Sequence, residues 1–165
     1  GNKNIMATLF IAALMIAFNW FVFSAIIGGI VLFFGILFFV FAERIKRLFR
    51  KNREKLRWIQ FERKWKKLSD SLQQNPNQAL ADEVVGLWKG YLEHLRAQPI
   101  QEWTSSEIAA ALDDKEVFKA LRTIDMIIYA GVEGDTSAAT SYLLEVAKTN
   151  YRTTLNQITH ERGTR

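Results

Sequence analysis

Three observations predict an all-α protein with a membrane segment. Residues 4–42 form a run of 39 positions without a single charge. No stretch alternates apolar and polar side chains for long enough to argue for a strand. After the apolar run, every segment shows helical spacing of its apolar residues and a recognisable stop. The architecture expected is an N-terminal transmembrane helical hairpin, or one tilted span, continuing into a basic stem helix and a small cytoplasmic helical bundle. The expected divisions are 1–42 for the transmembrane segment, 43–74 for the amphipathic stem and 75–165 for the helical domain.

Within the run, Thr8, Asn19 and Ser24 are the internal hydroxyl or amide side chains. As one helix, 39 residues would reach about 58 Å at about 1.5 Å per residue. The hydrocarbon core is about 30 Å thick and is crossed by about 20 residues. Two passes with a tight turn therefore fit better than one straight pass. Asn19-Trp20 lies near the middle, where Asn tolerates turn geometry and Trp favours the headgroup level. That turn gives arms of 4–18 and 21–42. Gly28-Gly29 is a rival hinge, and a single tilted helix with an interfacial N-terminal extension is the third arrangement. A cleaved signal is disfavoured by length and by the missing cleavage pattern. Ser24 and Gly28, like Ala25 and Gly29, are four residues apart and put small side chains on one face, where membrane helices pack closely.

Charge sets the expected orientation. Residues 43–67 hold twelve Lys/Arg against three Glu, whereas 68–165 hold nine Lys/Arg against fourteen Asp/Glu. The basic block follows the apolar run directly, which places that end in the cytoplasm under the positive-inside rule. Arg44, Lys46, Arg47, Arg50, Lys51, Arg53, Lys55 and Arg57 are the residues expected at the membrane surface, each worth about 1 kcal/mol near anionic lipid headgroups. The chain has no cysteine and two histidines, His94 and His160. That excludes a disulfide framework, a thiolate metal site, a cysteine nucleophile and a three-His centre.

The stem stripe comes next. Trp58, Phe61, Trp65, Leu68 and Leu72 step by 3, 4, 3 and 4, the spacing of one helical face. Such a stripe reads as core or helix-packing surface rather than as a base-stacking platform, so no nucleic-acid partner is expected. Gln73-Gln74-Asn75-Pro76-Asn77 ends the stem. Leu80, Val84, Leu87, Trp88, Tyr91 and Leu95 then share one face, and Pro99 closes that helix. Thr104-Ser105-Ser106-Glu107 is a capping box opening a short helix, Ser105–Leu112. Asp113 is expected to cap the next helix, whose stripe is Val117, Leu121, Ile124 and Ile128, with Gly131 as its C-terminal cap. Asp135 starts the last helix, with Leu144, Ala147, Tyr151, Leu155 and Ile158 turned inward.

Chemistry is sparse. Gly131-x-x-Gly134-Asp135-Thr136 lacks the Lys-Ser/Thr of a phosphate-binding loop and follows a helix rather than a strand. Asp113, Asp114 and Glu116 are explained by the positive end of a helix dipole rather than by a metal. The segment from Thr104 to Tyr129 has the outline of a helix-turn-helix, but Asp113, Asp114 and Glu116 would repel phosphates at its recognition helix. Both histidines read as surface residues. Asp125 lies between Ile124 and Met126 on the most apolar helix outside the run, where an ionised side chain needs a partner. Arg122, three residues earlier, or an Arg from another helix is the expected counter-ion. No catalytic set, cofactor or metal is expected.

The stretch LWKGYLEHLRAQPIQEWTSSEIAAAL, with VFKALRTIDMIIYAG and AATSYLLEVAKTNYRTTL, resembles the cytoplasmic helical domain of bacterial membrane proteins from Bat (aerotolerance) loci. The resemblance rests on Leu87, Trp88, Tyr91 and Leu92, on Thr104, Ser106, Glu107 and Ile108, and on Leu121, Asp125, Tyr129 and Gly131. It covers about 80 of the 165 residues, and the periplasmic region common in such proteins has no counterpart in the sequence. Those loci also encode MoxR-type AAA+ ATPases and von Willebrand A-domain membrane proteins. The resemblance implies a non-enzymatic adaptor in the bacterial inner membrane that docks such an assembly, with Trp103 or Tyr142 expected on the docking surface. The alternative expectation is a small structural subunit of a transporter or channel. That role usually needs ionisable residues within the span, and the run has none.

Overall fold

The computed structural model describes residues 1–130 and 135–160. Among the described residues there are five α-helices, one 3₁₀ turn and no strand. The helices are α1 (Asn2–Gln74), α2 (Gln78–Arg96), α3 (Ser105–Leu112), α4 (Lys115–Ala130) and α5 (Thr136–His160), with the 3₁₀ turn at Ile100–Glu102. The chain divides into two compact units, Gly1–Leu48 and Phe49–Arg165.

The first unit is helical from Asn2 onward. Neither Asn19-Trp20 nor Gly28-Gly29 interrupts the helix, so no hairpin turn is formed at either place. The physical reason lies in the neighbours. Asn and Gly cost only about 0.5–1 kcal/mol each in a helix interior, and the surrounding Ala, Leu, Ile and Phe carry the backbone ladder through them. Thr8 adds a local bond, its hydroxyl donating to the Asn4 carbonyl at 2.7 Å. An 18-residue window of α1 has a mean hydropathy of 2.8 and no buried residue. Among the described residues, α1 is the one helix long and apolar enough to cross a membrane.

The second unit contains the rest of α1 and the other helices. Residues 49–74 fall in this unit, and their apolar stripe is part of its core. Trp58, Phe61, Trp65, Ser69 and Leu72 are buried, with Leu68 packed at the margin. From α2 come Ala81, Val84, Val85, Trp88, Tyr91 and Leu92, while Leu80, Leu87 and Leu95 are partly buried. The indole of Trp88 donates to the Leu143 carbonyl at 2.7 Å, which ties α2 to α5 in the interior. On α4 the buried face is Val117, Ala120, Leu121, Ile124 and Ile127, so Ile127 takes the place expected of Ile128. On α5 it is Leu143 rather than Leu144 that is turned fully inward, followed by Ala147 and Ile158.

The helix ends follow the polar residues that can satisfy free backbone groups. Asn77 caps α2 by accepting the Leu80 amide at 2.8 Å. The capping box at α3 is complete: Thr104 accepts the Glu107 amide, and the Glu107 carboxylate accepts the Thr104 amide at 2.7 Å. Two expected stops are corrected. Ala97, left-handed at φ 53°, ends α2 by donating to the Glu93 carbonyl, before Pro99 is reached. Asp113 is the left-handed C-cap of α3 at φ 52°, not the cap of α4. Asp114 performs that task, accepting the Glu116 amide at 2.9 Å. Asp135 opens α5 as expected by accepting the Ser137 amide at 3.1 Å. The expected cap at Gly131 and its glycine loop lie outside the described residues.

Candidate functional site

The first unit offers an apolar surface. Its large side chains, including Phe10, Phe18, Trp20, Phe33 and Phe39, are exposed. Continuous exposure of this kind is found where lipid or another protein covers the surface. Ser24 and Gly28 lie on this helix, and a Cβ added at Gly28 would meet nothing. Arg44, Lys46 and Arg47 follow at its end, the Arg47 Nε donating to the Glu43 carbonyl at 3.2 Å.

The second unit places the remaining basic residues on its portion of α1. Arg50, Arg53 and Lys55 are exposed, while Lys51 and Arg57 are half-buried. Arg57 does more than face solvent. Its Nη1 reaches Glu54 Oε1 at 3.1 Å and His94 Nε2 at 2.8 Å, and His94 Nε2 lies 3.0 Å from Glu54 Oε2. One imidazole nitrogen cannot donate to the carboxylate and accept from the guanidinium at once. Carrying its proton on Nε2, His94 donates to Glu54; with that nitrogen bare, it accepts from Arg57. His94 is therefore a fastening between α1 and α2 rather than an idle surface residue. Sequence reasoning missed this because the partners are 37 and 40 positions away.

Beneath the cluster lies an aromatic layer. The ring of Tyr91 stacks on Phe61 with centroids 4.2 Å apart, and Trp58 stacks on Tyr151 at 4.9 Å. The Tyr91 hydroxyl is buried and has no hydrogen-bond partner. Burial, and after it the charge of Glu54, hold this phenol above its ordinary pKa. Beside it runs an open groove of about 320 Å³ lined in part by Arg57, Lys64, Gly86, Gly90 and His94. No group of three or more His, Asp or Glu that could hold a metal ion is present among the described residues.

The expected pair of Asp125 and Arg122 is not formed. Asp125 is half-buried and accepts the Ser105 hydroxyl at 2.9 Å, joining α4 to the start of α3. Arg122 is exposed, with its guanidinium 5.9 Å from the centre of the Phe118 ring. A hydroxyl donor suffices because Asp125 is only partly buried. The expected docking residues are also used internally. Trp103 packs against the core, and its carbonyl accepts from Lys89 Nζ at 2.8 Å. The Tyr142 hydroxyl donates to Asp114 Oδ2. The large apolar side chains most open to solvent on α4 are instead Met126 and Tyr129.

No family model, no curated protein and no solved structure matches the chain.

Proposed function

We infer that the protein is a membrane-anchored, non-enzymatic adaptor whose helical domain faces the bacterial cytoplasm and docks a protein partner. One observation carries this reading: a 39-residue charge-free run, helical and with its large side chains exposed, is followed at once by a block of twelve Lys/Arg against three Glu. Hydrocarbon covers the apolar surface, and the basic residues remain at the anionic headgroups. Because α1 is uninterrupted, the anchor is one tilted crossing. Residues 21–42 would extend about 33 Å as a helix, close to the core thickness of about 30 Å, with Trp20 and Arg44 at its two boundaries.

The partner is an assembly of a MoxR-type AAA+ ATPase and a von Willebrand A-domain protein. This part rests on the resemblance of the domain's sequence alone. The test is a pair of topology reporters on the full chain, one before Asn2 and one after Arg165, combined with alkaline extraction of membranes. The chain should stay with the membrane, the C-terminal reporter should register cytoplasm and the N-terminal one the opposite side. A C-terminal reporter found outside overturns the orientation, and both reporters inside restore the hairpin. Purification from native membranes without either partner refutes the named assembly.

A further inference from the structure

In the second unit, α1 carries a side that its own domain leaves bare. Trp58, Phe61, Trp65 and Leu72 face the core. On the opposite side, Phe49 is 71% exposed, Leu56 60% and Ile59 43%, with Asn52 between them, also exposed. Positions 49, 52, 56 and 59 alternate steps of 3 and 4, the repeat by which one helix recognises another. In the first unit, counted by itself, the same alternation meets 24, 28, 31, 35, 38, 42 and 45: Ser, Gly, Val, Gly, Phe, Ala and Ile. None of these eleven positions is charged. That is unexpected by chance in residues 43–67, which hold twelve Lys/Arg and three Glu. The apolar run supplies a separate hint: a Cβ at Gly28 or Gly35 would meet nothing, so no packing within the chain requires glycine there. Small residues in membrane helices allow close approach of another helix.

We propose that this side of α1 is the seam of a parallel homodimer, its occupant the same residues of a second copy. The charges flanking the seam choose that partner. In a parallel pair, the residue just before every second seam position, 49, 56 and 63, meets the one five places on in the other chain. Those pairs are Leu48 with Arg53, Lys55 with Gln60 and Glu62 with Lys67. No like charges meet in these three pairs, despite the basic excess, and the last pair attracts. Asn52 facing its own copy puts one polar pair in the seam at some cost in stability, and Arg63 at the next seam position, where like charges would meet, ends the stripe. The proposal rests on the anchor reading for one thing only: a common membrane holds two copies level and parallel.

The absence of native cysteine makes the test direct. Leu56→Cys and, as an off-seam control, Lys64→Cys are each introduced into the full chain, reconstituted in phospholipid vesicles and oxidised. Leu56→Cys should give a cross-linked dimer and Lys64→Cys little. Leu56→Glu, exposed and so harmless to the fold, should weaken dimerisation about tenfold or more, the change for a loss of about 1.4 kcal/mol, with unchanged helical circular dichroism. Asn52→Leu should strengthen it. Equal, weak cross-linking at both positions refutes the seam. So does quenching of a fluorophore at position 56 by brominated lipid, which would show lipid covering this side. An anchored chain that stays monomeric overturns the seam alone. A chain that leaves the membrane fraction yet cross-links through position 56 supports the seam and overturns the anchor alone.

Discussion

Removing one hydroxyl should have opposite effects at two tyrosines. Tyr91→Phe takes away an oxygen that is buried without a hydrogen-bond partner, whereas Tyr142→Phe takes away one that donates to Asp114. An unsatisfied buried hydroxyl costs about 1–3 kcal/mol. Its loss removes that cost but also the oxygen's own contacts, on the order of ten atom pairs at about 0.1–0.2 kcal/mol each, which offset much of the gain. The stacking of the ring on Phe61 at 4.2 Å is untouched, since Phe keeps the same plane. Tyr91→Phe should therefore be neutral or stabilising by up to about 1 kcal/mol, which raises Tm by a few degrees for a domain near 100 residues. Tyr142→Phe should be destabilising by about 0.5–1.5 kcal/mol, kept small because the site is partly hydrated. Thermal melts of the full chain in one detergent, followed by circular dichroism, compare the two directly. A Tyr91→Phe variant that loses more than about 1 kcal/mol would refute the reasoning, for it would mean that the hydroxyl is bonded in solution.

The Tyr142–Asp114 bond also predicts a pH dependence. The bond raises the Tyr142 phenol from 10.0 to about 12, so its contribution is full below pH 10 and falls away as pH rises towards 12. Melts between these values should show a loss that Tyr142→Phe lacks. At the acid end, the Thr104 amide and hydroxyl lower the Glu107 pKa below its ordinary 4.5. The capping box should hold above pH 4.5 and loosen as pH falls through the depressed value, and Thr104→Ala should remove that sensitivity while costing about 1 kcal/mol. Asp125→Asn and Ser105→Ala should each cost about 0.5–1.5 kcal/mol and together little more than one alone, whereas Arg122→Ala should leave the melt unchanged. Vesicle binding by the basic residues should fall with salt, since headgroup attraction is screened over about 8–10 Å; binding that ignores salt would assign it to apolar contacts.

How much of this was legible in the sequence depends on the distance over which each signal acts. The Thr104 box and the Asn77 cap are local, because the side chain that closes the helix lies within three residues of the amide it accepts. The stripe from Trp58 to Leu72 is equally legible, since period alone distinguishes an inward face. The Asp113–Asp114 error is one of a single residue with a clear cause. The link between α3 and α4 is only those two residues, so both ends compete for them. The Asp113 and Asp114 amides satisfy the Ala110 and Ala109 carbonyls, which leaves the Asp114 side chain for α4. Tertiary partners were beyond reach. Nothing near Asp125 announces Ser105, twenty positions earlier, and nothing near His94 announces Glu54. The nearest opposite charge was the natural choice for Asp125, yet Arg122 lies over Phe118 instead and the carboxylate takes the Ser105 hydroxyl.

The two sides of α1 in the second unit explain why its basic residues are unevenly placed. A helix that only needed to touch anionic headgroups could scatter Lys and Arg around its circumference. Here, between 49 and 59, the inward side is aromatic and the opposite side is Phe49, Asn52, Leu56 and Ile59, so over that stretch the cations are confined to the two flanks. On one flank, Arg57 is drawn into the Glu54–His94 cluster, which spends part of the positive charge on fastening α2. The charge left for lipid is therefore smaller than the twelve Lys/Arg of residues 43–67 suggest. Arg57→Ala separates the two uses. If Arg57 serves chiefly the cluster, the variant should lower Tm while leaving vesicle binding near that of the unaltered chain. If it serves chiefly the membrane, binding should weaken as much as for Lys55→Ala and the melt should not move. The geometry favours the first outcome, because a guanidinium 2.8 Å from an imidazole nitrogen and 3.1 Å from a carboxylate has already exchanged much of its hydration for fixed partners.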